Sequence, residues 1–199
     1  MKDILFSQPH ILENSRARLV PLEEHHGESL WEAASDPSIW AYTHVKIKNE
    51  SELADYISAA LQERADQQSY PFAVYDKLHE CWAGSTRFGS LALEHKRAEI
   101  GWTWYKTSLQ GSGLNAACKL LLLDFAFGVL QLNRVELKTS LTNRRSQKAM
   151  EKLGAVKEGL FRRHMVNPDG TLRDSVFYSF IKEEWEETRD AKFGAYLSL

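Results

Sequence analysis

Apolar and polar positions alternate along parts of this chain and fall at helical spacing along others, in an order that lays out most of its elements. Residues 16–22 read as a strand, and 23–34 and 50–67 as helices with polar outer faces, with the aromatic pair Trp40 and Tyr42 as a hinge between them. Strands follow at 70–76 and 81–91 around a turn at 77–80, and residues 94–97 turn into a strand at 98–105 that carries Glu99. Residues 114–130 hold Leu, Phe, Ala and Val in a nearly all-round apolar pattern, which only a buried helix tolerates. A strand at 134–141, a helix at 143–153 stopped by Gly154, and strands at 156–164 and 172–181 complete the series. The last two strands meet at Asn167, Pro168, Asp169 and Gly170, residue types that suit a hairpin turn. The pattern predicts an α+β chain: a mixed, twisted sheet of about seven strands with helices on both faces.

The loop between the strand at 98–105 and the apolar helix reads Gln110, Gly111, Ser112, Gly113, Leu114, Asn115. Glycines let the backbone approach a ligand closely, and the first turn of the next helix directs unpaired N–H groups and the positive end of its dipole at the same place. A phosphate or pyrophosphate is the natural occupant, although the same glycines also suit plain loop geometry. Strand, glycine loop, helix and strand together form a right-handed crossover between parallel strands. No Lys followed by Ser or Thr comes after the second glycine, and the third glycine of a dinucleotide fingerprint is missing. The expected ligand bears phosphate but is neither ATP nor NAD.

Length and composition narrow the class. The 199 residues suit one domain, residues 1–199, with a substantial core, and no Ser/Gly/Pro-rich linker, internal repeat or low-complexity tract divides them. A formal charge of -2 argues against nucleic acid as a partner, and the cluster Arg144, Arg145, Lys148, Lys152 reads as a solvated helix face. Cys81 and Cys118 have neither pairing nor metal spacing and read as buried thiols of a reducing compartment; the seven histidines show no metal-site spacing either. No stretch reaches the ~20 apolar residues of a membrane span, and residues 1–14 lack the apolar core of a signal peptide, so a cytoplasmic protein is expected.

Several ordered motifs resemble one family, the GCN5-related N-acetyltransferases (GNAT), and within it the RimJ/RimL-like ribosomal-protein N-acetyltransferases. The segment from Gln110 to Leu114 is similar to the family's acetyl-CoA pyrophosphate loop, with Asn115 standing where the pattern has Gly or Ala. Asn133, Arg134, Val135, Glu136, then Asn143, Ser146, and then Lys152, Leu153, Gly154, Ala155 follow the family's next segment, and Asp169, Gly170, Arg173, Asp174 and Tyr178 resemble its closing hairpin. The resemblance spans residues 16–185, leaving 186–199 as a C-terminal tail. It implies acetyl-CoA as cosubstrate, bound where the central parallel strands splay, with no metal.

The implied reaction moves an acetyl group from acetyl-CoA to a primary amine, a protein N-terminal α-amine or a small-molecule amine, by direct attack in a ternary complex. The amine must lose a proton, the oxyanion needs donors, and the leaving thiolate, with a free pKa of ~8.5, benefits from a nearby acid. Backbone groups of Trp102, Thr103, Trp104 and Tyr105 are then expected to meet the pantetheine arm as an added strand would. Ser146 is the candidate acid for the thiolate, sharing a helix face with Asn143, which is placed on the cofactor arm and is equally a good N-cap. Glu99 is the candidate base, directly or through a water; the competing reading pairs it across strands with Arg87 or Arg97. Trp40, Trp82, Trp102 and Trp104 lie close to the predicted cleft, and Trp40, Arg87 and Trp104 are expected to border the acceptor pocket, with Arg87 free to hold a carboxylate. Two other functions stay in view: transfer from another acyl donor such as succinyl-CoA, which extra basic residues near the thioester would favour, and a noncatalytic CoA-binding sensor, hinted at by Asn115. The tail, with Phe193, Tyr196 and Leu197, either closes over the domain or meets a second subunit in a homodimer.

Overall fold

In the computed structural model, which describes every residue except His44, Ser198 and Leu199 and gives no side-chain placement for Leu197, one open sheet runs through the chain. Its strands are β1 (Leu12–Glu13), β2 (Ala17–Pro21), β3 (Tyr70–Asp76), β4 (Cys81–Ala92), β5 (Arg97–Tyr105), β6 (Arg134–Ser140), β7 (Val156–Val166) and β8 (Leu172–Ile181), ordered β1-β2-β3-β4-β5-β6-β8-β7. Every pairing is antiparallel except β5 with β6. The eighth strand, absent from the sequence pattern, is β1; two residues are too few for an alternation to register.

Helices cover both faces. On one face lie α2 (His26–Ala34) and α3 (Glu50–Ala65), joined through a 3-10 turn at Pro37–Trp40. Helix α2 buries Leu30, Ala33 and Ala34, and α3 buries Leu53, Ile57 and Ala60, the spacing of an amphipathic helix on a sheet. Asn49 caps α3 by accepting from the Glu52 amide at 2.9 Å. Trp104 of β5 points into this core. The opposite face holds the larger core, built around α4 (Leu114–Asp124), which continues as a π-helical turn at Phe125–Val129 where the sequence predicts unbroken helix to 130. The Leu130 amide bonds back to the Phe125 carbonyl at 2.9 Å.

Helix α5 (Arg144–Lys152) follows β6, and its buried Gln147 donates to the carbonyls of Ser140 and Leu141 at 3.2 and 2.8 Å, which fixes the helix start against the end of the strand. The tail is a helix, α6 (Lys182–Leu197), that lies on its own chain: Trp185 and Phe193 are buried, and the Trp185 indole donates to Asp124 at 2.9 Å. Closure over the domain is thus the arrangement for Phe193 and Tyr196, while the Leu197 side chain lies outside the described residues. At the other terminus α1 (Lys2–Phe6) packs too, with Leu5 fully buried and Phe6 against Tyr70.

Candidate active site

The site begins where the sheet stops being continuous. Strands β5 and β6 pair through only three couples, Arg97 with Arg134, Ala98 with Val135 and Glu99 with Glu136. Beyond them β6 stays paired with β8 as far as Ser140, and β5 stays paired with β4 as far as Tyr105, so the edges of β5 and β6 that face each other part. At the parting point β5 bulges. Trp102 and Thr103 together oppose Thr86 between the couples Ser85–Trp104 and Arg87–Gly101, and Trp102 has the left-handed φ of 50°.

The glycine loop closes the far end of this gap. Gly111 and Gly113 have φ of 81° and 92°, and Gly113 is the N-cap of α4. The first helical bond is made by the Ala117 amide to the Gly113 carbonyl, so the amides of Asn115 and Ala116 have no helical acceptor. A Cβ on Gly113 would come within 2.6 Å of the Tyr196 hydroxyl, which brings α6 onto the loop. The side chains of Gln110 and Ser112 bond the protein itself, although Ser112 is exposed. Ser112 donates to the Leu109 carbonyl at 2.7 Å and accepts from Arg16 at 3.0 Å, and Leu114 is fully buried. The Gln110 amide bonds the Tyr105 carbonyl at 3.2 Å, and Arg145 of α5 bonds its oxygen. The amides of Asn115 and Ala116 and the half-buried Asn115 side chain are thus the groups of this loop left available to a ligand.

At the start of α5, the Asn143 carboxamide accepts from the Ser146 amide at 3.1 Å, a true N-cap, and the half-buried Ser146 hydroxyl has no protein partner among the described residues. On the inner side of α4, Lys119 is 5% exposed, and its Nζ donates to Thr103 Oγ1 at 3.1 Å. Burial pushes this ammonium down to about 8. Burial also pushes the neighbouring Cys118 thiol up to about 12, so that it stays neutral, in line with the small apolar role expected of it.

On the α3 face of the sheet a groove of about 430 Å³ runs past Ser90, Glu99, Lys138, Phe161, His164 and Phe177. Glu99 is 5% exposed and pairs with Lys138 at 2.6 Å and with the Ser90 hydroxyl at 3.0 Å. That corrects the cross-strand partners expected for it: Arg87 binds Glu63 of α3 at 2.8 Å, and Arg97 binds Glu136 at 3.2 Å. Gly101 makes room for the carboxylate, since a Cβ there would lie 2.8 Å from Glu99 Oε1. His164 is exposed and bonds Ser175 at 3.0 Å; desolvation, then the positive Lys138 and Arg173, hold its imidazole below the usual value and so neutral at physiological pH.

The expected acceptor wall is also revised. Arg87 is 2% exposed, held by Glu63 and flanked by the rings of Tyr56 and Trp102, each 5.3 Å away, so it is not free to hold an acceptor carboxylate. Trp40 and Trp104 pack on each other at 5.2 Å inside the α2–α3 core, both nearly fully buried, and Trp82 packs edge-on against His26. Of the four tryptophans expected near the cleft, the most exposed is Trp102, at 41%, lying over Gly89. Sequence reasoning missed Lys138, His164 and Lys119. Lys119 alone carried a signal, a single charge inside an otherwise apolar helix.

This architecture is matched by known proteins. A family model described as an acetyltransferase (GNAT) domain covers residues 16–156. The chain belongs to the GCN5-related N-acetyltransferases. Enzymes of the GNAT family use acetyl-CoA. A crystal structure from T. thermophilus, provisionally named an acetyltransferase, is 33% identical, with a TM-score of 0.85 over 96% of this chain and 98% of the other. YdaF of Bacillus subtilis, provisionally named a ribosomal N-acetyltransferase, is 35% identical over 104 residues, 52% of this GNAT chain and 55% of YdaF, so the match spans about half of each protein. Mycobacterium smegmatis RimJ in complex with CoA-disulfide shares the fold, with a TM-score of 0.76 over 94% of this chain and 93% of that one at 21% identity. Among the described residues no helix is long and apolar enough to cross a membrane.

Proposed function

We propose that this GNAT chain transfers the acetyl group of acetyl-CoA to a protein N-terminal α-amine, with a ribosomal protein as acceptor and the cytoplasm as its setting. The observation that carries the donor half is the parting of β5 from β6 beyond Glu99. It leaves an open backbone edge at residues 101–105, in line with a left-handed glycine cradle and the uncapped first turn of α4. An extended arm with amide groups fits such an edge as a strand would, and a pyrophosphate fits the cradle. At the cradle end, Gly111 has open space where a Cβ would stand, the Ser112 hydroxyl is bonded to the Leu109 carbonyl, and Leu114 is buried, which supports the fit.

The acceptor half rests on the groove on the α3 face. It is open, carries Glu99 and the neutral His164 as proton acceptors, and offers Phe161 and Phe177 as apolar walls, which suits the first residues of a peptide better than an enclosed small amine. The amine nitrogen bonds the carbonyl carbon, its proton passes to Glu99 or His164 directly or through water, and the electron pair of the broken C–S bond stays on sulfur, where Ser146 can donate. The partial match to YdaF supports the ribosomal acceptor.

A carboxylate-tipped donor such as succinyl-CoA has one observation in its favour, the buried Lys119 beside Thr103. The deciding experiment is thiol release by purified protein from acetyl-CoA and succinyl-CoA against peptides with free N-termini, N-terminally blocked controls, polyamines, amino acids and aminoglycosides. Release with free-N-terminus peptides and acetyl-CoA is the expected result. Release only with small amines refutes the acceptor, and tight acetyl-CoA binding without release to any amine favours the sensor reading.

A further inference from the structure

Lys119 is the least expected group in this molecule. It stands in the second turn of a helix that otherwise contributes Leu114, Ala117, Cys118, Leu120, Leu122 and Leu123 to the core. A buried ammonium is costly unless paired, yet among the described residues Lys119 makes no ion pair, and its one hydrogen bond goes to Thr103 Oγ1 at 3.1 Å. Thr103 is one of the two bulge residues of β5, on the edge that β6 no longer covers. Its oxygen also lies 2.7 Å from the Thr86 hydroxyl. With Lys119 and Thr86 donating to that oxygen, the Thr103 hydroxyl hydrogen is left to point elsewhere, its one internal alternative being the Gly101 carbonyl at a long 3.4 Å.

The groups that act on Lys119 are few. Cys118, beside it on α4, is neutral, as is the fully buried Tyr105 of β5, whose hydroxyl burial holds protonated. Glu99 of β5 attracts Lys119 without touching it and is itself paired with Lys138 of β6. The cation thus lies in a low-dielectric floor with no anion of its own.

We propose that Lys119, acting through the Thr103 hydroxyl, is a positioning residue that stabilises the thiolate of CoA in the gap between β5 and β6, the leaving group of the transfer. This rests on the reading that the thioester arm lies along residues 101–105. The electron pair released when the C–S bond breaks stays on sulfur, Thr103 donates its hydrogen bond there, and Lys119 supplies the compensating charge, so no proton need move in that step. Ser146 on α5 is available to give the thiolate a second hydrogen bond, and the sulfur takes its proton from solvent on release.

The test needs no acceptor. CoA bound to the protein is titrated by its thiolate absorbance in the ultraviolet, with desulfo-CoA as the reference that removes the titration of the protein itself, and calorimetry measures affinity in parallel. In the wild type the bound thiol should ionise about one to two pH units below the ~8.5 of the free thiol. In Lys119→Met and in Thr103→Val it should return to the free value or rise above it, with CoA affinity at low pH, where sulfur is protonated, within about threefold of wild type. Met keeps the length of the side chain and removes a buried charge, so the fold should hold. If wild type and both variants titrate alike, the proposal is overturned while the cofactor reading stands. If CoA does not bind saturably, or binds without protecting the amides of residues 101–105 from exchange, the cofactor reading fails and this inference with it.

Discussion

Replacing Glu99 by Gln removes a charge but keeps the shape of the side chain, so its consequence is set by what Lys138 does next. The pair is close, at 2.6 Å, and lopsided: the Glu99 side chain is 7% exposed and that of Lys138 is 20%. Gln can still accept from Ser90, at 3.0 Å in the native site, so the hydrogen bond there survives and the loss is mainly the ionic partner of a half-sheltered ammonium. Breaking a fully buried pair costs about 3–5 kcal/mol and breaking an exposed one under ~1 kcal/mol; an ammonium with some access to water lies between, at about 2 kcal/mol. For a chain of this size that is a fall in Tm of roughly 4–8 °C. Removing both charges, in Glu99→Gln with Lys138→Met, should recover most of it, because the penalty belongs to the orphaned cation and not to the missing contact. Thermal and urea unfolding of the wild type, the two single variants and the double variant form the cycle. A double variant as unstable as Glu99→Gln alone would refute the reasoning. The same variant separates chemistry from architecture once an acceptor is in hand: loss of the acidic limb of the pH–rate profile identifies Glu99 as the base, and an unaltered profile transfers that role to His164.

Gly113→Ala forces an L-residue to φ 92° and brings its Cβ within 2.6 Å of the Tyr196 hydroxyl. The backbone term alone is about 1–2 kcal/mol, and acetyl-CoA affinity measured by calorimetry should fall; adding Tyr196→Phe should relieve the clash and leave the backbone strain, so a double variant no better than the single one would refute the contact. Ser146→Ala should lower kcat while leaving the KM for acetyl-CoA nearly unchanged, and an unchanged kcat would remove Ser146 from the reaction. Lys119 has a folded pKa of about 8, below its unfolded value near 10.5, so the unfolded chain holds more protons between those limits. Its contribution to stability is therefore unfavourable at pH 7 and is relieved as pH rises from about 8 to 10.5, a relief of a few kcal/mol that Lys119→Met should lack in urea titrations across that range.

The strands and helices that position the site were legible because each buries one face and keeps its period: Tyr70–Asp76 and Leu172–Ile181 fall where the alternation puts them, and the glycine loop stands between β5 and α4. What escaped lacks a period. Strand β1 has two residues, and α6 alternates Glu, Arg and Lys with only Trp185 and Phe193 buried among its described side chains, so its inner face is too sparse to register. Within the site, Gly111 and Gly113 could be read because only glycine takes those angles cheaply, and Asn143 because Asn is a good cap. The partner of Glu99 could not be read. Lys138 is 39 positions away and meets it across the one parallel seam, where two residues past Glu136 the strand is already parting, so no pairing rule names it. The bulge at Trp102 and Thr103 likewise decides which tryptophan is exposed, and a bulge is a property of two strands at once.

Among the described residues the sheet ends in two outer edges and has two inner ones where β5 and β6 part, and their defences against pairing with other chains differ. The outer edge at β1 is only two residues long, and the other outer edge, β7, is broken by two irregularities and carries Lys157, Glu158, Arg162 and Arg163, devices that discourage the addition of a foreign strand. The inner edge of β5 from Gly101 to Tyr105 carries no charged side chain, and its one interruption is the bulge at Trp102 and Thr103. Its defence is recession. Joined to β6 by three pairs at its base, it opens on a gap between two strands of its own sheet. The edge proposed to take an extended ligand arm is thus also one that a foreign strand meets only inside the sheet.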